Sequence, residues 1–464
     1  MGLSTALEIG KTGLTIYRVA TEVTGENIAN VNTAGYSRQR VVFQTAPPTT
    51  ANGFPLGTGV QISTVERYYD SFLQKQLVNA ETTEGYDTKK FEILKQIEPA
   101  FNEIANDGLG TSLINFFGAW EDLSLNPTGT TERQVVFTRA RTLVDDFHAA
   151  SKCLTDAAAT QNDSLVPLTA EINARLEDIA KLNGQIRYTE QSSGNANEIR
   201  DQRDQLVREL SGKIGITFTE NSDGTTDVNF KDSGAALVVG SQFGAFSLTV
   251  NAGTGNYDVN ITPVGGAAAV VAPVSGEMGA IVTLRDTTIP GYLNQVNSLA
   301  TTIATQVNTQ HALGFDLNGD AGEAMFTYTG APNSAATLTI NPALTSTNQI
   351  AASGSATLVG DNTNALLLAQ LKSTSTMSGG TTTFNGFYTK LVSQIGLDVE
   401  SSSNAVSQDA AFLKQLEALR ESNSGVSLDE ELTNLIKYQR SYQASAKLIT
   451  TASDMLDIVL NMMR

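Results

Sequence analysis

The periodicity of apolar positions divides the chain into helical ends and a β-like middle. Residues 3–31 repeat at alternating steps of four and three through Leu3, Leu7, Gly10, Leu14, Tyr17, Thr21, Thr24, Ile28 and Val31, which predicts one long amphipathic helix. The C-terminus carries a stronger version through Leu428, Leu432, Leu435, Gln439, Tyr442, Ala446, Ile449, Ser453, Leu456, Leu460 and Met463. A second stripe, Ile436, Leu448, Ala452, Met455, Val459 and Met462, makes that helix apolar over a wide face. Ser427 with Glu430 three residues later reads as its capping box, and Gly425 as the stop of the helix before it. Between the ends, residues 80–105, 130–160, 163–194, 196–211, 290–312 and 383–422 suit helix. Gly108, Gly110, Pro127, Gly129 and Gly194 supply the breaks. Leu168, Ile172, Leu176, Ile179 and Ile186 mark one buried helix face.

From Ile214 to Leu284 the pattern changes. Short runs at Ile216–Thr219, Asp227–Phe230, Ala236–Val239, Phe246–Val250 and Asp258–Thr262 alternate with Asn, Gly and Asp turns, the pattern of antiparallel strands. Residues 314–360 read as loops with a few strands. The predicted fold class is α+β and multidomain: a long helical bundle built from N- and C-terminal segments, with an inserted antiparallel β domain. The expected boundaries are a terminal helical domain of 1–50 and 425–464, a bundle of 51–213, 286–313 and 361–424, a β domain of 214–285 and a small insertion of 314–360. A lone helix is marginal in water, so the N-terminal segment must pair with the C-terminal helix or with neighbouring subunits. Its small and polar seam positions Gly10, Thr21 and Thr24 argue against a strong dimeric coiled coil. The expectation is disorder in the free monomer and folding on assembly.

Composition removes several functions. Among 464 residues, Lys and Arg number 30 against 48 Asp and Glu, a net charge of −18 that disfavours nucleic acid and anionic membrane as partners. The two histidines, His148 and His311, and the single Cys153 are too few for a His/Cys zinc site, and Cys153 has no internal disulfide partner. No apolar run reaches the roughly 18 residues that span a membrane. The N-terminal residues have no basic region, no uninterrupted apolar run and no small-residue cleavage site, so a cleavable secretory signal is not expected. Long Thr, Ser, Asn, Gly and Ala stretches with few lysines point instead towards an extracellular bacterial subunit.

Candidate chemistry is sparse. Gly10-Lys11-Thr12 is half a phosphate-binding loop, but Thr5 stands where the first glycine belongs, which leaves Lys11 on the solvated side of the helix. Gly57-Thr58-Gly59 reads as a turn ahead of a strand at Val60–Val65. Asp316, Asn318 and Asp320 resemble the opening of a calcium loop, but Ala321 and Thr327 replace its Gly and Glu, and turn chemistry accounts for them. Cys153 reads as a small buried hydrophobe, and Asp145-Asp146 and Asp429-Glu430-Glu431 as helix surface or first-turn charges. No catalytic, metal or cofactor site is expected. An enzyme carried in the β segment would need a constellation that these residues do not supply.

One stretch stands apart: Glu26-Asn27-Ile28-Ala29-Asn30-Val31-Asn32-Thr33-Ala34-Gly35-Tyr36-Ser37-Arg38-Gln39. Asparagines end the helix, Gly35 allows a bend, and Tyr36 offers an anchoring ring with a polar tip. The stretch resembles the N-terminal signature of bacterial flagellar axial proteins of the rod, hook and hook-associated families. Val60-Gln61-Ile62, Arg67 to Leu73, Gly276 to Ala280, Leu284-Arg285-Asp286 and Ile289 to Tyr292 narrow the resemblance to the hook-associated protein 1 family. So does the ending from Gly425 through Tyr438-Gln439, Tyr442-Gln443-Ala444 and Ala446.

The resemblance implies a structural subunit at the junction between hook and filament, exported through the flagellar type III channel, its terminal helices forming a shared inner tube and its β domain facing outward. It implies as partners other copies of the chain, the hook protein, a second hook–filament junction protein and an export chaperone on the C-terminal helix. No cofactor is implied. The residues expected to carry assembly are Leu7, Leu14, Tyr17, Asn27, Asn30, Asn32, Gly35, Tyr36, Leu428, Leu432, Leu435, Tyr442, Ile449, Leu456 and Leu460. The alternative reading is another flagellar axial protein, of the hook, the rod or the second junction position.

Overall fold

The computed structural model describes residues 2–51, 54–102, 108–192, 194–330 and 332–462. Of the expected helical positions, 103–105, Ser193 and Met463 lie outside them. The helices are α1 (Gly2–Ala29), α2 (Ser71–Ile97), α3 (Leu109–Leu125), α4 (Thr130–Ser192), α5 (Asn197–Lys213), α6 (Gly276–Thr283), α7 (Ile289–Ala312), α8 (Ser334–Thr337), α9 (Thr363–Gln370), α10 (Phe384–Ser424) and α11 (Leu428–Met462). The strands of the N-terminal third are β1 (Gln39–Thr45), β2 (Thr49–Ala51), β3 (Phe54–Leu56) and β4 (Val60–Arg67). The middle holds β5 (Ile216–Glu220), β6 (Thr226–Phe230), β7 (Ala236–Val239), β8 (Gln242–Phe243), β9 (Ala245–Val250), β10 (Tyr257–Thr262) and β11 (Ala269–Val271), followed later by β12 (Phe326–Thr327) and β13 (Thr339–Ile340). Long terminal helices with small antiparallel sheets between them make up the α+β architecture.

Four departures from the pattern stand out. The segments at 130–160 and 163–194 form one helix of 63 residues, with Pro167 inside it. A proline in a helix removes one hydrogen bond, and buried Gln161, Leu165 and Leu168 on either side hold the turn in register. Helix α2 starts at Ser71 rather than residue 80, because the Asp70 carboxylate accepts the N–H groups of Phe72 (2.9 Å) and Leu73 (3.1 Å) and so caps it. Helix α3 has no counterpart among the expected elements, and Gly110, expected as a break, lies in its first turn. A fourth departure closes the β segment early. The chain turns helical at Gly276, where φ is +68° and a Cβ would lie 2.8 Å from the Ile214 backbone, so no side chain fits.

The chain folds as two compact units. The first comprises residues 1–85, 167–276 and 408–464. In it β5 to β8 form an antiparallel meander with Ile216 opposite Phe230 and Phe218 opposite Val228, while β9, β10 and β11 form a second sheet with Ile261 opposite Phe246. Phe230 and Phe246 meet edge to face at 5.5 Å. Two asparagines of α4 secure these sheets with their carboxamides. Asn173 both donates to the Phe246 carbonyl (2.8 Å) and accepts its N–H (2.7 Å). Buried Asn183 does the same with Thr226 (2.8 and 3.0 Å) and also donates to the Gly240 carbonyl. The expected face Leu168, Ile172, Leu176, Ile179 and Ile186 is buried throughout.

The second unit comprises residues 86–166 and 277–407. Its core gathers Phe116, Phe117 and Trp120 of α3 with Phe326 and Phe384; Phe117 stacks on Phe384 at 5.7 Å. His311 is buried there as the neutral tautomer. Nδ1 donates to the Glu323 carbonyl (2.5 Å), Nε2 accepts the Ala351 N–H (3.0 Å), and burial lowers its pKa to about 4. Fully buried Arg133 reaches only carbonyls, those of Pro127 and Ile350 among them, and burial lowers its pKa to about 10. Asp316 spends one oxygen on the N–H groups of Asn318 (2.7 Å) and Asp320 (2.9 Å), the turn chemistry expected of it. Cys153 is half-buried rather than buried, and burial raises its thiol pKa.

Candidate assembly interface

The terminal helices pair within the one chain, α1 packing along α11, the first of the two pairings open to the N-terminal segment. The seam depends on small residues. A Cβ at Gly10 would lie 2.5 Å from Ile449 Cγ1, and one at Gly13 would lie 2.6 Å from Ser445 Oγ, so α1 and α11 approach more closely than side chains would permit. Towards the base of the pair, Tyr17, Phe43 and Tyr438 form a three-ring cluster with centroids 6.2–6.4 Å apart, joining α1, β1 and α11.

Below the rings, the signature stretch closes into a clamp. Asn27 is buried on the last turn of α1 and serves four partners. Its Oδ1 accepts the Gln39 N–H (2.9 Å) and the Tyr36 hydroxyl (2.9 Å), and its Nδ2 donates to the Gln39 carbonyl (2.9 Å) and to Glu431 Oε2 (3.1 Å). Gly35 makes the bend that brings Tyr36 back, at a φ of +82°. Arg38 then grips the start of α11, donating Nε to Glu431 Oε1 (2.8 Å) and Nη1 to Glu430 Oε2 (2.7 Å). Burial acts against its charge, but the two carboxylates outweigh burial and raise its pKa. The Arg38 N–H also donates to the Ser424 carbonyl (2.8 Å), tying in the end of α10.

Helix α5 supplies the opposite wall. The Ser37 N–H donates to Asp201 (2.8 Å), and Arg67 lies between Asp201 (2.6 Å) and Asp204 (2.7 Å), which raise its pKa against the cost of burial. Gln39 is held between Glu198 and Asn197, each at 2.9 Å. Arg38 and Arg40 both stand over the Tyr68 ring, at 5.4 and 5.1 Å. Beside the clamp, Asn30, Ala34, Gly35 and Tyr36 line a groove of about 640 Å³ with Leu182 and Leu206. The carboxylates of the clamp are bonded to arginines or amides, and none faces a nucleophile. The arrangement fastens helices together. Among the described residues no group of three or more His, Cys, Asp or Glu could hold a metal, and no helix is long and apolar enough to cross a membrane.

The chain has relatives among known proteins. The family model "Flagellar hook-associated protein FlgK helical domain" matches residues 94–326. The chain belongs to the FlgK family. Models described as "Flagella basal body rod protein" and "Flagellar basal body rod FlgEFG protein C-terminal" match residues 7–36 and 420–462, the two terminal helices that the clamp joins. Flagellar hook-associated protein 1 of Bacillus subtilis (strain 168) is 28% identical, covering 99% of this chain and 98% of its own. That of Escherichia coli (strain K12) is 27% identical over 99% and 100%. The solved structure of the flagellar hook junction protein FlgK from Burkholderia pseudomallei shares the fold, with a TM-score of 0.68 and 17% identity over 75% of this chain and 100% of that one.

The anticipated assembly residues fall into three places. Asn27, Gly35 and Tyr36 form the clamp, and Asn30 caps the end of α1 by donating to the Glu26 carbonyl (3.1 Å). Leu7, Leu14, Tyr17, Leu435, Ile449 and Leu456 are half-buried, whereas Asn32, Leu428, Leu432, Tyr442 and Leu460 are exposed. Glu431 corrects the surface reading of its acidic run: it is buried at the centre of the clamp. Asp201 and Phe43 are partners that sequence reasoning misses, while Arg67 and Tyr438 lie in the motifs that carry the resemblance without being singled out for assembly. An arginine in an acidic chain invites a search for its carboxylate, but no spacing rule reaches the 393 residues from Arg38 to Glu431.

Proposed function

We infer that the chain fulfils its family's structural role at the hook–filament junction by polymerising through α1 and α11. One observation supports this above the others: of the 35 residues of α11, only Glu431 and Ala452 are buried, while Leu428, Leu432, Ile436, Leu448, Met455 and Leu460 lie exposed. Apolar surface on that scale marks a protein-binding face. Other copies of the chain cover most of it, with the hook protein on one side and a second junction protein on the other. Before assembly, an export chaperone takes the same face as a helix-in-groove ligand. Delivery through the flagellar type III channel places the subunit outside the cell. Its work is mechanical connection, without catalysis.

Electron microscopy of cells lacking the gene, with flagellin assayed in the medium, tests the reading. Bare hooks with flagellin released to the medium are the expected result. Missing hooks would move the chain to the rod or hook, and normal filaments would overturn the proposal.

A further inference from the structure

The outward face of α11 has a character of its own. Between Leu432 and Ser453 it carries three cations, Lys437, Arg440 and Lys447, and no carboxylate, in a chain of net charge −18. All three are exposed, as are Ile436, Ala444 and Leu448, and their three- and four-residue spacing puts them away from the seam residues Tyr438, Ser445 and Ile449. None of the three cations is in an ion pair among the described residues.

The groove beside the clamp has the complementary character. Leu182, Leu206 and Ala34 contribute apolar lining, Asp178, Glu198 and Asp201 are its carboxylates, and its cation Lys181 is held by Glu177 and Asp178. Glu26 faces Glu198, and burial together with that neighbouring charge pushes the Glu26 carboxyl up. Neither carboxylate is in an ion pair among the described residues.

We propose that this groove receives the outward face of α11 from a second copy of the chain, with Arg440 set between Glu26 and Glu198 and Ile436 and Ala444 on the apolar lining. The inference rests on the self-assembly proposed above and names the surfaces that meet. A guanidinium can donate to both carboxylates at once, which a lysine ammonium does less well. The two patches lie on different parts of each copy, so the contact is heterologous and propagates instead of closing. Arg440 lies nine residues beyond Glu431, or about 13 Å along the helix, which sets the axial offset between neighbouring copies.

Complementation of the deleted gene tests the contact. Arg440→Glu should abolish filaments, and adding Glu26→Arg should restore them, while the thermal melt of purified Arg440→Glu matches that of the parent chain. In a Cys153→Ser background, Arg440→Cys combined with Glu26→Cys should give a ladder of disulfide-linked copies on oxidised flagella, and neither cysteine alone should give one. Normal filaments from Arg440→Glu would overturn the contact. So would cross-links from position 440 to hook protein, to another junction protein or to position 440 of a second copy. If deleting the gene itself leaves filaments intact, the junction reading fails; if deletion removes them and Arg440→Glu does not, only this contact fails.

Discussion

At Asn27 a single carboxamide performs work that charge could not. Its two ends meet a backbone N–H and hydroxyl on one side and a carbonyl and carboxylate on the other, so the site needs a neutral donor–acceptor pair. Asn27→Asp keeps the shape but turns an acceptor towards the Gln39 carbonyl and the Glu431 carboxylate. We expect a local loss of about 3 kcal/mol, seen as roughly hundredfold faster amide exchange in peptides spanning 27–39 and 428–435. Glu26 offers the opposite test. Its carboxyl is raised in the folded chain above its ordinary 4.5, so folding favours the protonated form, and stability falls as pH rises through that range. Glu26→Gln should therefore stabilise the protein at pH 7 and have no effect under acid conditions that protonate the carboxyl in both states. Exposed charge pairs are worth about 0.2–1 kcal/mol, and melting curves at the two pH values would resolve the difference. Asn27 and Tyr36 could be singled out from sequence because they sit in one contiguous stretch. Their carboxylate partners could not, because Glu431 and Asp201 look like the surface acids around them until the fold buries them.

Among the elements, the closest contact is the one where side chains are absent. Gly10→Val would drive its Cβ into Ile449 and part α1 from α11, at a cost of about 1–3 kcal/mol typical of overpacking. Increased proteolysis within residues 2–29 would report it. Gly25 is the control: a Cβ there meets nothing within 4 Å, so Gly25→Ala should stabilise α1 by up to about 1 kcal/mol through helix propensity. Five of the strands between 216 and 262 were legible nearly to the residue, since turn residues bound each run and alternation identifies the buried face, whereas the two-residue β8 was too short to show a pattern. Helices were legible where apolar spacing was regular, and α3 was not, because Phe116, Phe117 and Trp120 crowd together after two glycines. Helix α11 was legible from its apolar spacing, but the residues it sets against α1 within the chain were not. Residues that meet α1 include Glu431, Tyr438, Ser445 and Ile449, of which Ile449 lies on the expected stripe and the others are polar or aromatic positions beside it.

For the whole molecule, the nested order of helical ends around a β-rich middle could be read in advance, but the long-range pairing that joins the ends could not. Asn27 and Glu431 lie 404 residues apart, nearly the full length of the chain. Contacts so distant are entropically expensive to close and slow to form. Time therefore enters the design. A chain emerging end-first through a narrow passage can form its strands and internal helices as they appear, but it cannot close the clamp until the far end has arrived. Whichever end leads, the finished pair of helices exists only when both ends are free. On the export route proposed above, the surface that invites a neighbour would thus mark completion, and a subunit still in transit would have nothing to offer.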